Sequence, residues 1–178
     1  MDNQVNFELC DYREVKGKYQ RLVSVGAFEH IGKKFYKTFF KKVHNIMTDN
    51  GICLLHTIGT VNSPGPTQPF IQKRIFPGGI IPSLSDLISP IEKTGLILAD
   101  CETLIHHYDK TLKAWLDRFL KNKEKAKFLY NKEFVRMWEF YLASCSAAFK
   151  FRDLVVYQLQ LVKSFTALPS NRRNYIYQ

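Results

Sequence analysis

No stretch of this chain approaches the roughly 20 apolar residues that a membrane-crossing helix needs; the longest apolar runs, such as 154–157, are far shorter. The opening residues MDNQVNFELC lack the basic head and apolar stretch of a secretory leader. Cysteine is sparse, with four residues at 10, 53, 101 and 145 and no C-x-x-C spacing. Three of the four lie inside apolar segments, so they read as reduced thiols rather than a disulfide frame. His106 and His107 follow Cys101 without the spacing of a zinc site, so no metal is expected. None of the nine glycines falls in a G-x-G pattern. Acidic residues are the minority, 16 against 26 basic, for a net charge of +10. That excess reads either as solvated helix faces or as attraction to an anionic partner, and no nucleic-acid motif accompanies it, which favours lipid headgroups or no partner at all. Aromatics are abundant (14 Phe, 9 Tyr, 2 Trp), which excludes a disordered or low-complexity chain. At 178 residues and 46% hydrophobic, the chain has enough apolar material for one domain with a real core.

Residues 5–9 (VNFEL) read as a short strand and 19–25 (YQRLVSV) as a second, ended by Gly26. A helix is expected over 33–47. Phe35, Tyr36, Phe39, Phe40, Val43, Ile46 and Met47 form one stripe at helical period, with lysines opposite and Asn50-Gly51 as the stop. Residues 52–58 (ICLLHTI) are a near-continuous apolar run, as for a strand covered on both faces. Residues 60–82, rich in Pro and Gly, are irregular, with a short helix near 70–75. Ser83 and Asp86 resemble a capping box that opens a helix to about Lys93. A strand over 95–104, helices over 108–120 and 132–150, and a last strand over 154–162 complete the order, with a frayed polar tail after Pro169. Strand, strand, helix and buried strand in succession indicate parallel βαβ units and an α/β fold.

In open α/β sheets, ligands bind beyond the carboxyl ends of the strands. That rule selects Cys10-Asp11-Tyr12, the stretch Ala27-Phe28-Glu29-His30, and His56-Thr57-Ile58-Gly59. Glu29, His30 and His56 would face one crevice, where a carboxylate and an imidazole hold a polar reagent or move a proton. The same residues also fit a decorated surface loop and a satisfied core histidine.

Five segments sharpen the reading: VSVGAFEHIGKKFYKTFF, GICLLHTIGT, FIQKRIFPGGIIPS, HYDKTLKAWLDRFL and FVRMWEFYLASCSAAFKFRD. In this order and spacing they resemble the cyclopropane-fatty-acyl-phospholipid synthase family, which includes the mycolic acid cyclopropane synthases. The resemblance implies an S-adenosylmethionine-dependent methyltransferase sheet. It implies transfer of a methylene from S-adenosylmethionine to a cis double bond of a phospholipid acyl chain, with a bound bicarbonate as base. The side chains of Glu29, His56 and Tyr141 and the backbone of Ile58 would hold that bicarbonate. Asp11, Tyr12, Val25 and Gly26 would face the cofactor. The Phe76-Pro77-Gly78-Gly79 loop would belong to a lipid-covering insertion over about 60–94. Trp115, Phe119 and Trp138 would line an acyl tunnel or simply pack the core. Lysines of 121–127 would rest on an anionic membrane surface, making a cytoplasmic, peripherally bound protein. Methyl-branch formation on the same alkene is an alternative outcome.

The family places a glycine-rich loop and two strands upstream of everything here, and only ten residues precede Asp11. The resemblance therefore implies a partial class I methyltransferase sheet, the C-terminal part of one domain over 1–168 followed by a tail over 169–178. Residues 5–9 would be separated from 19–25 by a gap of roughly 14 Å, about three strand spacings. Either they detach or re-pair, or a companion polypeptide fills the gap. A truncated inactive remnant and a lipid-surface-binding module are the alternatives to an enzyme portion.

Overall fold

A computed structural model describes residues 5–168 and 173–176. Its centre is a four-stranded sheet in the order β1-β2-β4-β3, formed by Tyr19–Val25 (β1), Met47–Thr60 (β2), Ile97–Leu104 (β3) and Leu154–Val162 (β4). β1 runs parallel to β2, while β4 lies antiparallel between β2 and β3. The parallel βαβ expectation thus holds for β1 and β2 alone among adjacent pairs. β2 and β3 point the same way but are separated by the last strand, whose insertion no local pattern announces.

The helices are Tyr36–Ile46 (α1), Leu84–Glu92 (α2), His107–Lys121 (α3), Lys123–Leu129 (α4) and Lys132–Phe151 (α5). Helices α1 and α2 cover one face of the sheet, where Phe40, Leu87 and Ile91 meet Cys53, Leu55, Leu159 and Leu161. Helices α3 and α5 cover one end of the other face, where Leu112, Tyr141, Leu142 and Phe149 meet Ile58, Leu154 and Val156. Period two along the strands explains the division, because odd positions of β2 and β4 face one layer and even positions the other. Ser83 and Asp86 form a true capping box at α2, each side chain bonding the other's backbone N–H.

Several expectations are corrected. Residues 5–9 form no strand; they run unpaired with exposed side chains, because β1 has a ladder partner only on the β2 side. The first helix opens as a tight turn over Lys33–Phe35, leaving Phe35 exposed. It ends at Ile46, before Asn50-Gly51, because Met47 turns into the sheet and is fully buried. Gly51 lies inside β2, where a Cβ would collide with Met47 and the Thr48 carbonyl. The ladder with β1 skips there, from Tyr19↔Met47 to Arg21↔Ile52. From Gly51 onward β2 is covered fully on its odd face and only partly on its even face. Helix α4 was not expected. Part of the tail is ordered, since Arg173 bonds the Asp100 carboxylate at 2.6 and 3.0 Å; 169–172 and 177–178 lie outside the described residues. Cys53 is buried, Cys101 and Cys145 are half-buried, and Cys10 is exposed; all four are free thiols.

Candidate active site

The site begins at the end of β1. Gly26 takes φ +66°, a left-handed turn that an L side chain rarely adopts, and its N–H points to the His56 carbonyl at 3.4 Å. A single helical turn follows, Phe28–His30, anchored by the fully buried Phe28 ring among Tyr36 (4.4 Å), Phe39 (5.1 Å) and Phe40 (5.6 Å). That anchor fixes which neighbour turns inward. Glu29 is buried, whereas His30 is exposed and lines the cavity beside β1, so the two side chains face different surroundings.

β1 stops pairing at Val25↔His56. The Ile58 N–H therefore stands beyond the ladder, and Glu29 Oε1 accepts it at 2.6 Å. Its second oxygen, Oε2, is buried and has no hydrogen-bond partner among the described residues. A buried carboxylate oxygen without a donor is costly unless something supplies one. The Glu29 carbonyl also accepts the Ile80 N–H at 2.8 Å, which ties the Phe76–Gly79 loop over the site. The Phe76 ring then spans His30 at 5.8 Å and Tyr141 at 6.0 Å.

Tyr141 lies on the inward face of α5, against Trp138 at 5.1 Å and in the cluster that includes Ile58. Burial pushes its phenol up to about 12, so it stays a neutral O–H donor across the physiological range. His56 sits two residues before Ile58 on the same face of β2, opposite Gln158. The Gln158 amide lies 3.3 Å from Nδ1. With that amide donating, Nδ1 accepts and the ring proton is held on Nε2.

Sequence reasoning missed Gln158, although its register partner follows once β4 is placed beside β2. It also missed Tyr36, whose buried hydroxyl lacks a hydrogen-bond partner among the described residues; burial, then the charges of Asp86 and Glu29, hold that phenol far above its usual range. Trp115 points out to solvent rather than into a tunnel, whereas Phe119 and Trp138 line a shallow groove beside α4.

The residues expected at the cofactor lie elsewhere, along β1. A cavity of about 500 Å³ runs between Tyr12, Ser24, Ala27, Ile31 and Phe39. Tyr12 packs on Phe39 at 5.6 Å, while Val25 and Gly26 are exposed at the strand end and do not line it. Asp11 does not line it either. The Arg13 side chain and backbone N–H both bond its carboxylate and hold it down at about 2. These residues furnish one wall for a nucleoside and no free acidic group for its ribose. They do not make a complete S-adenosylmethionine site. The anion site fits better, since the orphaned Glu29 oxygen, the Tyr141 phenol and the His56 ring belong to neighbouring positions at one end of the sheet.

A mixed sheet with an inserted antiparallel last strand and helices on both faces defines the S-adenosylmethionine-dependent methyltransferase fold. It superposes on the cyclopropane synthase MmaA2 of Mycobacterium tuberculosis with a TM-score of 0.79 and 27% identity, covering 90% of this chain and 63% of that one. The mycolic acid cyclopropane synthase CmaA1, solved with SAH and CTAB, gives 0.78 and 30% over 86% of this chain and 59% of that one. The chain belongs to the mycolic acid cyclopropane synthetase family, which matches residues 1–159. It is 38% identical over 155 residues to the cyclopropane-fatty-acyl-phospholipid synthase of Escherichia coli, covering 87% of this chain and 40% of the relative. It is 35% identical over 167 residues to the tuberculostearic acid methyltransferase UfaA1 of M. tuberculosis, covering 90% and 39%. The chain thus spans about 40% of the length of these two curated relatives. No helix among the described residues is long and apolar enough to cross a membrane.

Proposed function

We propose that this chain carries the acyl-chain and base-holding portion of a lipid cyclopropane synthase. The reaction moves a methyl group from the sulfonium of S-adenosylmethionine to a cis double bond of a phospholipid acyl chain. The alkene π pair forms the new carbon–carbon bond as the sulfur–carbon bond breaks, and sulfur keeps that pair. A C–H bond of the added methyl then breaks, its electrons close the ring on the cationic carbon, and a proton leaves. Bicarbonate, when bound, supplies the base for that proton.

The chain's residues serve the second half. The Ile58 N–H fixes Glu29 by one oxygen, so the other is aimed and free to accept the anion's O–H. Tyr141 and His56 Nε2–H donate to its remaining oxygens. Phe76, Trp138 and Tyr141 wall the site with rings whose faces favour a developing cation, and the fastened Phe76–Gly79 loop excludes water. The donor half is supplied by further polypeptide, in the same chain or as a companion. The exposed outer edge of β1 is where an added strand would pair.

The buried, unpartnered Glu29 Oε2 carries this reading. Titration with 13C-bicarbonate followed by NMR tests it. Binding is expected in the parent chain and lost in Glu29→Gln and Tyr141→Phe. Turnover of an unsaturated phospholipid is expected only with a glycine-rich N-terminal companion added, and at least 100-fold slower with Glu29→Gln. Unchanged anion binding in both variants would overturn the assignment.

A further inference from the structure

The surface around α4 is unlike the rest of the molecule. Residues 118–132 hold six basic side chains and one acidic. Lys123 pairs with Glu139 and Lys127 with Glu124, whereas Arg118, Lys121, Lys125 and Lys132 make no ion pair among the described residues. Three large apolar side chains stand out between these charges: Phe128 is 88% exposed, Leu129 62% and Tyr130 65%. A helix of seven residues gains nothing from showing two of them to water.

This surface connects to the site through stacked rings. Tyr130 lies on Phe134 at 4.2 Å, Phe134 on Trp138 at 5.7 Å, and Trp138 meets Tyr141 at 5.1 Å. The spacing of four, four and three residues puts this ladder on one side of α5 and the approach to it. Beside it runs a groove of about 360 Å³ lined by Phe119, Lys125, Leu129, Tyr130, Phe134 and Trp138. Basic charge at the rim, exposed apolar tips and an aromatic floor leading inward match an anionic headgroup layer with acyl chains beneath it.

We infer that α4 is the membrane-docking element, with Phe128 and Leu129 inserted between lipids and Lys121 and Lys125 at the headgroups. The Tyr130–Phe134–Trp138 ladder is then the path by which an acyl chain reaches Tyr141. This inference rests on the lipid-substrate reading above and adds where, and in which orientation, the chain meets its substrate.

Flotation of the full chain with vesicles tests it, using phosphatidylglycerol–phosphatidylethanolamine mixtures against pure phosphatidylcholine. Binding is expected to the anionic vesicles only and to weaken with salt. Lys121→Glu/Lys125→Glu and, separately, Phe128→Ser/Leu129→Ser should each weaken it by about tenfold or more, with Lys93→Glu, just past the end of α2, as a single-charge control. All these positions are exposed, so circular dichroism should be unchanged. In Phe128→Trp, brominated acyl chains should quench the new indole. Equal binding by the α4 variants, equal binding to neutral vesicles, or capture of a soluble acidic protein with no vesicle binding would each overturn the inference. The measurement needs no turnover. Vesicle binding without 13C-bicarbonate binding breaks only the proposed chemistry, and the reverse breaks only the docking.

Discussion

The two places where a ligand would sit, around Glu29 and Ile58 and in the cavity alongside β1, are built differently. Around Glu29 and Ile58, every element is fastened across long sequence distances: Glu29 to Ile58, Ile80 to Glu29, Phe76 to Tyr141. Along β1 and residues 11–13 the fastening is mixed: Lys42 bonds the Arg13 carbonyl at 2.7 Å and Tyr12 packs on Phe39, but β1 is paired on one side alone among the described residues. Arg13 bonds Asp11 two residues away, and Val23 and Val25 are 69% and 62% exposed. The described residues thus enclose Glu29 and Ile58 more fully than the outer edge of β1. The difference lies in the open outer edge of β1, not in a lack of contacts between distant segments.

Core truncation should give the largest contrast. Leu55→Ala, in the fully buried layer beneath the site, is expected to cost about 2–5 kcal/mol in urea unfolding, whereas Val23→Ala at the β1 edge should cost under about 0.5 kcal/mol. Equal costs would break the comparison. Gly59 should be nearly as sensitive, because a Cβ there would run into the Tyr157 ring and approach the Pro82 carbonyl. Gly59→Ala is expected to cost about 1–3 kcal/mol, while Gly26→Ala, where only the positive φ opposes a side chain, should cost about 1 kcal/mol.

On the ligand side, calorimetric titration of the 178-residue chain with S-adenosylmethionine should show negligible heat, alongside clear bicarbonate binding. A micromolar donor affinity would mean that the cavity under Tyr12 is a complete site. A smaller effect should come from Gln158→Leu. Losing the amide on Nδ1 frees the imidazole tautomer, so the 15N shifts of His56 should change while unfolding stability moves by about 1 kcal/mol or less.

The smallest effects are those of pH. Lys113 and Ser146 hold the Asp109 carboxyl below its ordinary 3.8, joining α3 to α5. A carboxyl lowered in the folded state contributes stability that is fully present above 3.8 and is lost as pH falls through the folded value. Asp109→Asn should remove that acid-limb slope. Tyr141 has the opposite sign. Its raised phenol favours the folded state below pH 10 and loses that advantage as pH climbs from 10 toward about 12, a loss that Tyr141→Phe abolishes.

Much of this was legible before any coordinates. The strands 19–25 and 154–162 coincide with β1 and β4, because apolar runs of that length bounded by turn residues have few alternatives. The α2 cap follows from Ser83 and Asp86 alone. The end of β1 singles out Glu29, which lies just beyond it; His56 reads as a strand end but lies inside β2, which runs on to Thr60; family resemblance alone singles out Tyr141. What local pattern missed is instructive. Asn50-Gly51 reads as a helix stop but serves a close approach inside β2. His30 reads as a partner of Glu29 but is turned out by the Phe28 anchor. Helix α4 hides in a lysine-rich stretch whose polarity masks its period.

Composition and periodicity settled that this is a basic, aromatic-rich α/β chain with amphipathic helices, since those are properties of short windows. The family followed from ordered motifs. Only the tertiary structure decided that β4 enters between β2 and β3, that Gln158 faces His56, and that one oxygen of Glu29 is bonded while the other is left bare. Those outcomes depend on which distant backbone lies alongside, and a hydrogen bond spanning 29 residues has no signature in either segment that makes it.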